Sequence, residues 1–128
     1  LVQMESLLLS LPVPVIIDHL GRAVDTRGPQ FVTVRKLLDS GHGWVKVSGA
    51  YLYGGGTAPH YEGASAAARA YIKAAPERCV WGSDWPHPGP KVHPDDAVLF
   101  DLLAADAPDE QVRNRILVDN PKQIYGFA

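Results

Sequence analysis

An aspartate and a histidine stand at the ends of two apolar, β-favouring runs of this chain. Asp84 follows residues 79–83, and Pro86, two positions later, lacks the backbone donor that a continuing strand needs. His19 directly follows residues 13–18. Parallel α/β folds carry their chemistry at the carboxyl ends of their strands. We therefore take Asp84 and His19 as the candidate catalytic residues.

Lys46 and Ser48 add polar groups to the same edge. Both belong to a third apolar run, 44–48, whose alternating valines suit a layer packed against helices. Strand side chains alternate between faces, so Lys46 and Ser48 are expected on the other face, where Asp84 should also point. We interpret Lys46 as a structural ion-pair partner and Ser48 as a hydrogen-bonding neighbour that contributes to substrate binding.

Three residues just beyond the strand ends complete the candidate site. Arg22 and His87 each lie three positions after a candidate catalytic residue, in loops over the same edge. Tyr51 follows the run 44–48, and a phenol at that place could bind a substrate carboxylate. We expect all three side chains to bind substrate.

Histidine and aspartate at strand ends match two kinds of hydrolysis. In the first, a divalent metal such as zinc lowers the pKa of a bound water, and His19 and Asp84 belong to its ligands. In the second, no cofactor is needed: Asp84 activates water as a general base, and histidines polarise the carbonyl. The plainer alternatives are a capping or turn acid at Asp84 and a core histidine at His19.

The predicted elements that position these residues alternate along the chain. Strands are expected at about 13–18, 44–48 and 79–83, a helix follows each of them, and further helices end the chain. This order predicts right-handed crossovers and a parallel α/β sheet.

A parallel sheet is normally covered on both faces, and one helix per strand supplies only one layer. Closure into a (β/α)₈ TIM barrel of about 250 residues solves this problem. Residues 1–128 are therefore predicted to be the C-terminal portion of a TIM-barrel domain, with the N-terminal half of the barrel as their partner.

Composition argues against several other classes of protein. With 12 Lys and Arg against 14 Asp and Glu, the charge favours no nucleic-acid partner. No run approaches the ~18 apolar residues of a membrane span, and no signal-peptide pattern opens the chain. We expect a cytoplasmic protein without a membrane partner. The single cysteine excludes an internal disulfide and a thiolate zinc cluster.

Taken together, these segments resemble the amidohydrolase-2 (amidohydrolase-related) family of TIM-barrel hydrolases, and most closely its 2-pyrone-4,6-dicarboxylate lactonase group. The most specific piece is Gly-Ser-Asp-Trp-Pro-His-Pro at 82–88. Residues 15–22, 44–51 and 116–127 match in the order and spacing of the family.

The resemblance implies a small-molecule substrate, a lactone that carries carboxylates, and an enzyme that is active only as a full barrel. His19 would be the histidine near the end of strand six. Asp84 would be the general base after strand eight, or a metal ligand in metal-dependent relatives. The family usually has an arginine for a substrate carboxylate where this chain has Leu52, and its strand-one His-X-His pair lies outside the chain. A metal-dependent decarboxylase and an inactive remnant or binding fragment are the alternatives.

Overall fold

The computed structural model describes residues 1–52, 54, 56–90 and 93–127. Within these residues a parallel sheet has three strands in the order β1-β2-β3. The strands are β1 Val15–Ile17, β2 Gly43–Val47 and β3 Cys79–Trp81. Val15 pairs with Gly43, and Val45 pairs with Cys79. The predicted parallel pairing is thus confirmed.

Two strands are shorter than predicted, for local reasons. β1 begins after Pro14, which has no backbone N–H to donate. β3 ends at Trp81, because beyond Gly82 the chain turns toward Asp84, whose φ is positive. Gly82 still donates its N–H to the Val47 carbonyl at 3.3 Å.

Helices alternate with the strands and continue to the end of the chain. They are α1 Glu5–Ser10, α2 Pro29–Asp39, α3 Glu62–Ala74, α4 Asp96–Asp106, α5 Glu110–Asn114 and α6 Asn120–Tyr125. Asp95 caps α4 by accepting the Ala97 N–H at 2.8 Å, and Asp109 caps α5 in the same way. None of the described helices is long and apolar enough to cross a membrane.

The last helices form one continuous stretch. A π-helical turn, Arg115–Asp119, joins α5 to α6. Pro121 has no N–H for the usual bond to the preceding turn, and a wider turn accommodates that loss. The Asn120 amide fixes this segment to β3, because it donates to the carbonyls of Pro76 and Cys79 at 2.7 and 2.6 Å.

The helices cover one face of the sheet and form the core there. Val45 and Leu38 are fully buried in it, and the rings of Phe31 and Tyr71 stack with centroids 4.7 Å apart. Burial of such apolar area is the main stabilising contribution to the fold. The opposite face carries Lys46 and Ser48, as the alternation predicts.

Candidate active site

Four candidate site residues hold a left-handed backbone in the segments that follow β1 and β3. The φ angles are 51° at His19, 62° at Arg22, 65° at Asp84 and 57° at His87. Aspartate and histidine tolerate this region better than most residues, yet each instance costs about 1–3 kcal/mol. The His87 N–H donates to the Asp84 carbonyl at 2.8 Å and closes the second turn. Such local strain is typical of functional sites.

His19 is oriented by Ser48 and directed at Asp84. Its Nδ1 lies 3.0 Å from Ser48 Oγ, and its Nε2 lies 3.7 Å from Asp84 Oδ1. A Cβ at Gly49 would come within 2.9 Å of His19 Nδ1, so only glycine allows the ring this close. Because a carboxylate faces Nε2, we assign the proton to Nε2 and let the Ser48 hydroxyl donate to Nδ1.

The two oxygens of Asp84 have different surroundings. Oδ2 accepts a hydrogen bond from the Tyr51 hydroxyl at 2.6 Å. Oδ1 faces His19 Nε2 at 3.7 Å, which is longer than a hydrogen bond. One oxygen is therefore fixed, and the other keeps its capacity to bind a further group.

Tyr51 is a hydrogen-bond donor to Asp84 that stays protonated. Burial raises the pKa of Tyr51, and the hydrogen bond to Asp84 and the negative charge of that carboxylate raise it further. The same hydroxyl lies 3.1 Å from His87 Nδ1. Its polar atom is thus engaged within the protein, and a substrate contact for Tyr51 stays a prediction.

His87 is buried next to Tyr51, and a substrate contact for it stays a prediction. The residue is 3% exposed, and its Nε2 lies 3.0 Å from Asp96 Oδ1. Both ring nitrogens therefore have protein partners.

Lys46 forms the ion pair that the sequence predicts. Its Nζ lies 2.6 Å from Asp18 Oδ1. Burial lowers the pKa of Lys46, but the hydrogen bond and the charge of Asp18 outweigh this and raise it overall. A Cβ at Gly82 would come within 3.3 Å of Lys46 Cδ, so this glycine leaves space for the lysine to cross β3.

Arg22 lies on the β1 side of the site. It is exposed and lines a groove of about 670 Å³ together with Gln3, Asp18 and Gln30. A substrate contact for Arg22 stays a prediction.

Two residues of the site escaped the sequence argument. Asp96 Oδ1 lies 3.0 Å from His87 Nε2, and Asp18 pairs with Lys46. The adjacent acids Asp95 and Asp96 were the available signal, because a helix uses only one of two neighbouring acids as its cap.

His19 and Asp84 also fit a metal ion in part. Their facing atoms are 3.7 Å apart, a span that two ligands of one zinc ion at about 2.0–2.2 Å can have. Within the described part of the chain, no group of three or more His, Cys, Asp or Glu side chains is placed to hold a metal. Any further ligands would come from elsewhere in the protein.

Comparison with known sequences gives consistent matches. The model of the amidohydrolase family matches residues 1–127. The chain is 42% identical over 125 residues to the 4-sulfomuconolactone hydrolase of Hydrogenophaga intermedia. This match covers 93% of this chain and 41% of that protein. Identity to the D-galactarolactone isomerase of Agrobacterium fabrum is 37% over 119 residues, 88% of this chain and 40% of that one. The 2-pyrone-4,6-dicarboxylate hydrolase of Comamonas testosteroni is 34% identical over 128 residues, with 91% and 42% covered.

Solved structures agree with these matches. A structure from Agrobacterium tumefaciens, in its apo form, has a TM-score of 0.85 and 32% identity, over 98% of this chain and 46% of that one. A probable 2-pyrone-4,6-dicarboxylic acid hydrolase from Acinetobacter baumannii, with citric acid bound, has a TM-score of 0.83 and 28% identity, over 98% and 48%. The chain thus spans less than half the length of its relatives. The predicted fold class, the C-terminal portion of a TIM barrel, is confirmed.

Proposed function

The chain belongs to the amidohydrolase family, and on this premise we propose that the complete protein hydrolyses a lactone that carries carboxylates. By complete protein we mean this chain together with the rest of a barrel, which we place N-terminal to it. The observation that carries the proposal is the Asp84 carboxylate. Tyr51 holds one of its oxygens at 2.6 Å, and the other faces His19 Nε2 at 3.7 Å.

In the first step, water attacks the lactone carbonyl carbon. Asp84 Oδ1 accepts one proton from that water as the new carbon–oxygen bond forms. Negative charge then develops on the carbonyl oxygen. The His19 Nε2–H, oriented by the Ser48 hydroxyl at 3.0 Å, donates a hydrogen bond to this oxygen.

In the second step, the ring ester bond breaks. The carbonyl re-forms, and the electron pair of the broken bond goes to the ring oxygen. Asp84, now a carboxylic acid, returns its proton to that oxygen. The product is an open-chain hydroxy acid, whose new carboxyl group releases its remaining proton to solvent, and Asp84 is again a carboxylate ready for the next water.

Two observations support a substrate that carries carboxylates, namely the positive charge near the site and the substrates of the relatives. Arg22 places a cationic group on the β1 side of the site, where Asp18 already balances the charge of Lys46. The relatives named above act on a sulfonated lactone and on a pyrone dicarboxylate, and one solved neighbour binds citric acid. Leu52 packs toward Gly49, where it offers an apolar contact instead of a further cation.

A metal ion would act at the same place. His19 and Asp84 would hold it, and when bound it would polarise the lactone carbonyl as a Lewis acid. Tyr51 would then keep Asp84 in the orientation that presents Oδ1, as it does for water.

Lactone isomerisation is the second candidate, because one relative at 37% identity is a D-galactarolactone isomerase. In that reaction a hydroxyl of the substrate would replace water as the nucleophile. Asp84 could accept the proton of that hydroxyl in the same manner. The two candidates therefore share the base and differ in the attacking oxygen.

Replacement of Asp84 by asparagine tests the proposal. Asparagine keeps the shape and can accept the Tyr51 hydrogen bond, but it cannot take a proton from water. In the complete protein we expect Asp84→Asn to lower kcat by about 10²–10⁴-fold with little change in KM. Asp101→Asn, at an exposed position of α4, is the matched control and should keep kcat. Near-normal kcat in Asp84→Asn would remove the general base from the proposal.

We further propose that residues 1–128 alone do not catalyse the reaction. The first step needs a closed site, and an open sheet exposes its edges and its inner face to water. We place the complete protein in the cytoplasm, where the free thiol of Cys79, buried in the core, stays reduced.

A further inference from the structure

A chain of hydrogen bonds runs from α4 to the proposed base. Asp96 Oδ1 lies 3.0 Å from His87 Nε2, and His87 Nδ1 lies 3.1 Å from the Tyr51 hydroxyl. The hydroxyl in turn donates to Asp84 Oδ2 at 2.6 Å. These hydrogen bonds connect the start of α4 with the loops that follow β2 and β3.

We propose that Asp96 is a positioning residue for Asp84 and that Asp96 acts through His87 and Tyr51. This proposal rests on the proposed function, since it assumes that Asp84 is the base. Asp96 fixes the His87 ring, and the ring fixes the Tyr51 hydroxyl. The hydroxyl then holds Oδ2, so that Oδ1 is the oxygen presented to water.

The direction of each hydrogen bond follows from a count of protons. The Tyr51 hydroxyl has one proton, and it goes to the Asp84 carboxylate. If the Tyr51 oxygen and the Asp96 carboxylate both accept from His87, then Nδ1 and Nε2 each carry a proton and the ring is an imidazolium. In this arrangement every hydrogen bond of the series from Asp96 to Asp84 has a donor and an acceptor.

Burial and geometry strengthen this arrangement. His87 is 3% exposed, and its ring lies edge-on to Tyr51 with centroids 5.5 Å apart. Hydrogen bonds that are shielded from water are stronger, and the loss of one member leaves a buried group unpaired. The bonds therefore hold the Tyr51 hydroxyl in one orientation.

Asp96 is free for this task because its neighbour caps the helix. Asp95 accepts the Ala97 N–H at 2.8 Å and satisfies the start of α4. Asp96 directs its carboxylate to His87 instead, while its side chain remains 51% exposed. The two adjacent acids thus provide a matched pair of variants, one for helix capping and one for positioning.

The test compares Asp96→Ala and Asp95→Ala in the complete protein, assayed with a lactone that the unmodified enzyme hydrolyses. We expect Asp96→Ala to lower kcat about 10-fold with little change in KM, since a bond to a charged group is lost. Asp96→Asn should restore most of this loss, because its carbonyl can accept the His87 Nε2–H. Asp95→Ala should lower the melting temperature and leave kcat unchanged. An equal loss of kcat in Asp95→Ala would overturn the proposal, because it would show a general effect of the α4 terminus.

Coupling between residues gives the second readout. If Asp96 acts through Tyr51, then Asp96→Ala should lower kcat no further in a Tyr51→Phe background. Multiplicative losses in the double variant would contradict the proposed route. Failure of this proposal can be separated from failure of the proposed function. If Asp84→Asn loses activity but Asp96→Ala keeps it, only the positioning role is wrong; if Asp84→Asn keeps activity, the base itself is wrong.

Discussion

Two ion pairs on opposite sides of the sheet differ in how burial acts on them. On the face of the sheet opposite the helices, here called the open face, Lys46 lies 2.6 Å from Asp18. The pKa of Lys46 is raised, so its charged form is favoured. Among the helices, Arg69 lies 2.9 Å from Asp106, yet burial raises the pKa of that carboxyl more than Arg69 lowers it. The charged form of Asp106 is therefore disfavoured.

The same contrast extends to neighbouring groups. In the helix layer, burial raises the pKa of the Cys79 thiol to about 12, so the thiol stays neutral. On the open face, Asp84 has a hydrogen-bond donor directed at it, and Lys46 has a carboxylate. One side of the sheet is organised by packing and the other by directed polar contacts. We infer that substitutions on the two sides affect different observables.

The largest effect on stability should come from the helix layer. Val34 is fully buried on α2, and Val32, on the same helix, is 43% exposed. We expect Val34→Ala to lower the free energy of unfolding by about 1.5–3 kcal/mol, because it removes buried apolar groups and leaves a cavity. Val32→Ala makes the same chemical change at the surface and should have little effect. Urea unfolding of both variants measures the difference, while kcat should remain unchanged in each.

Equal destabilisation by the two valine variants would break the comparison. It would mean that α2 is held by its own helical propensity rather than by packing against the sheet. A fall of kcat in Val34→Ala at a temperature where the protein is folded would also contradict the separation of the two sides.

A smaller effect, now on catalysis, should come from Ser48. Ser48→Ala removes the hydroxyl that lies 3.0 Å from His19 Nδ1, so the ring loses its fixed orientation. We expect kcat to fall about fivefold, as for one hydrogen bond worth about 1 kcal/mol. Ser10→Ala, which removes an exposed hydroxyl bonded to the Leu7 carbonyl, is the control and should leave kcat unchanged. A Ser48→Ala enzyme with unchanged kcat would show that His19 needs no such support.

The smallest effect should be the pH dependence of stability at Asp106. Its pKa in the folded state is raised, mainly by burial, so the folded protein binds a proton that the unfolded chain releases. Stability from this group is therefore present at acid pH and is lost as pH rises through the folded pKa. Asp106→Asn should abolish this dependence of the free energy of unfolding on pH. The stability of the variant relative to the unmodified protein should therefore be higher at neutral pH than at pH near 4. An identical pH dependence in both proteins, measured by urea unfolding, would contradict the raised pKa.

The sequence predicts those parts of the molecule that depend on local pattern. Alternation along β2 places Lys46 and Ser48 on one face, and the predicted helices after the first and second strands are present as α2 and α3. Alternating strands and helices predict the parallel order. These features need only the neighbouring residues, so they can be predicted without tertiary contacts.

The connections around Asp84 could not be predicted in this way. They depend on left-handed turns at Asp84 and His87, and no local rule requires positive φ at residues other than glycine. The contact between His87 and Asp96 also depends on how α4 packs against the sheet. The sequence therefore indicates which residues gather at the strand ends, but not which of them bind one another.

Hydrolysis at Asp84 requires water as the attacking group, and the fate of solvent oxygen tests this most directly. The complete protein would be incubated with a carboxylated lactone in water enriched in oxygen-18, and the product analysed by mass spectrometry. We predict an open-chain product with one solvent oxygen in its new carboxylate. An unlabelled lactone of rearranged connectivity would show isomerisation, and a product that has lost carbon dioxide would show decarboxylation. Either result would contradict hydrolysis at Asp84.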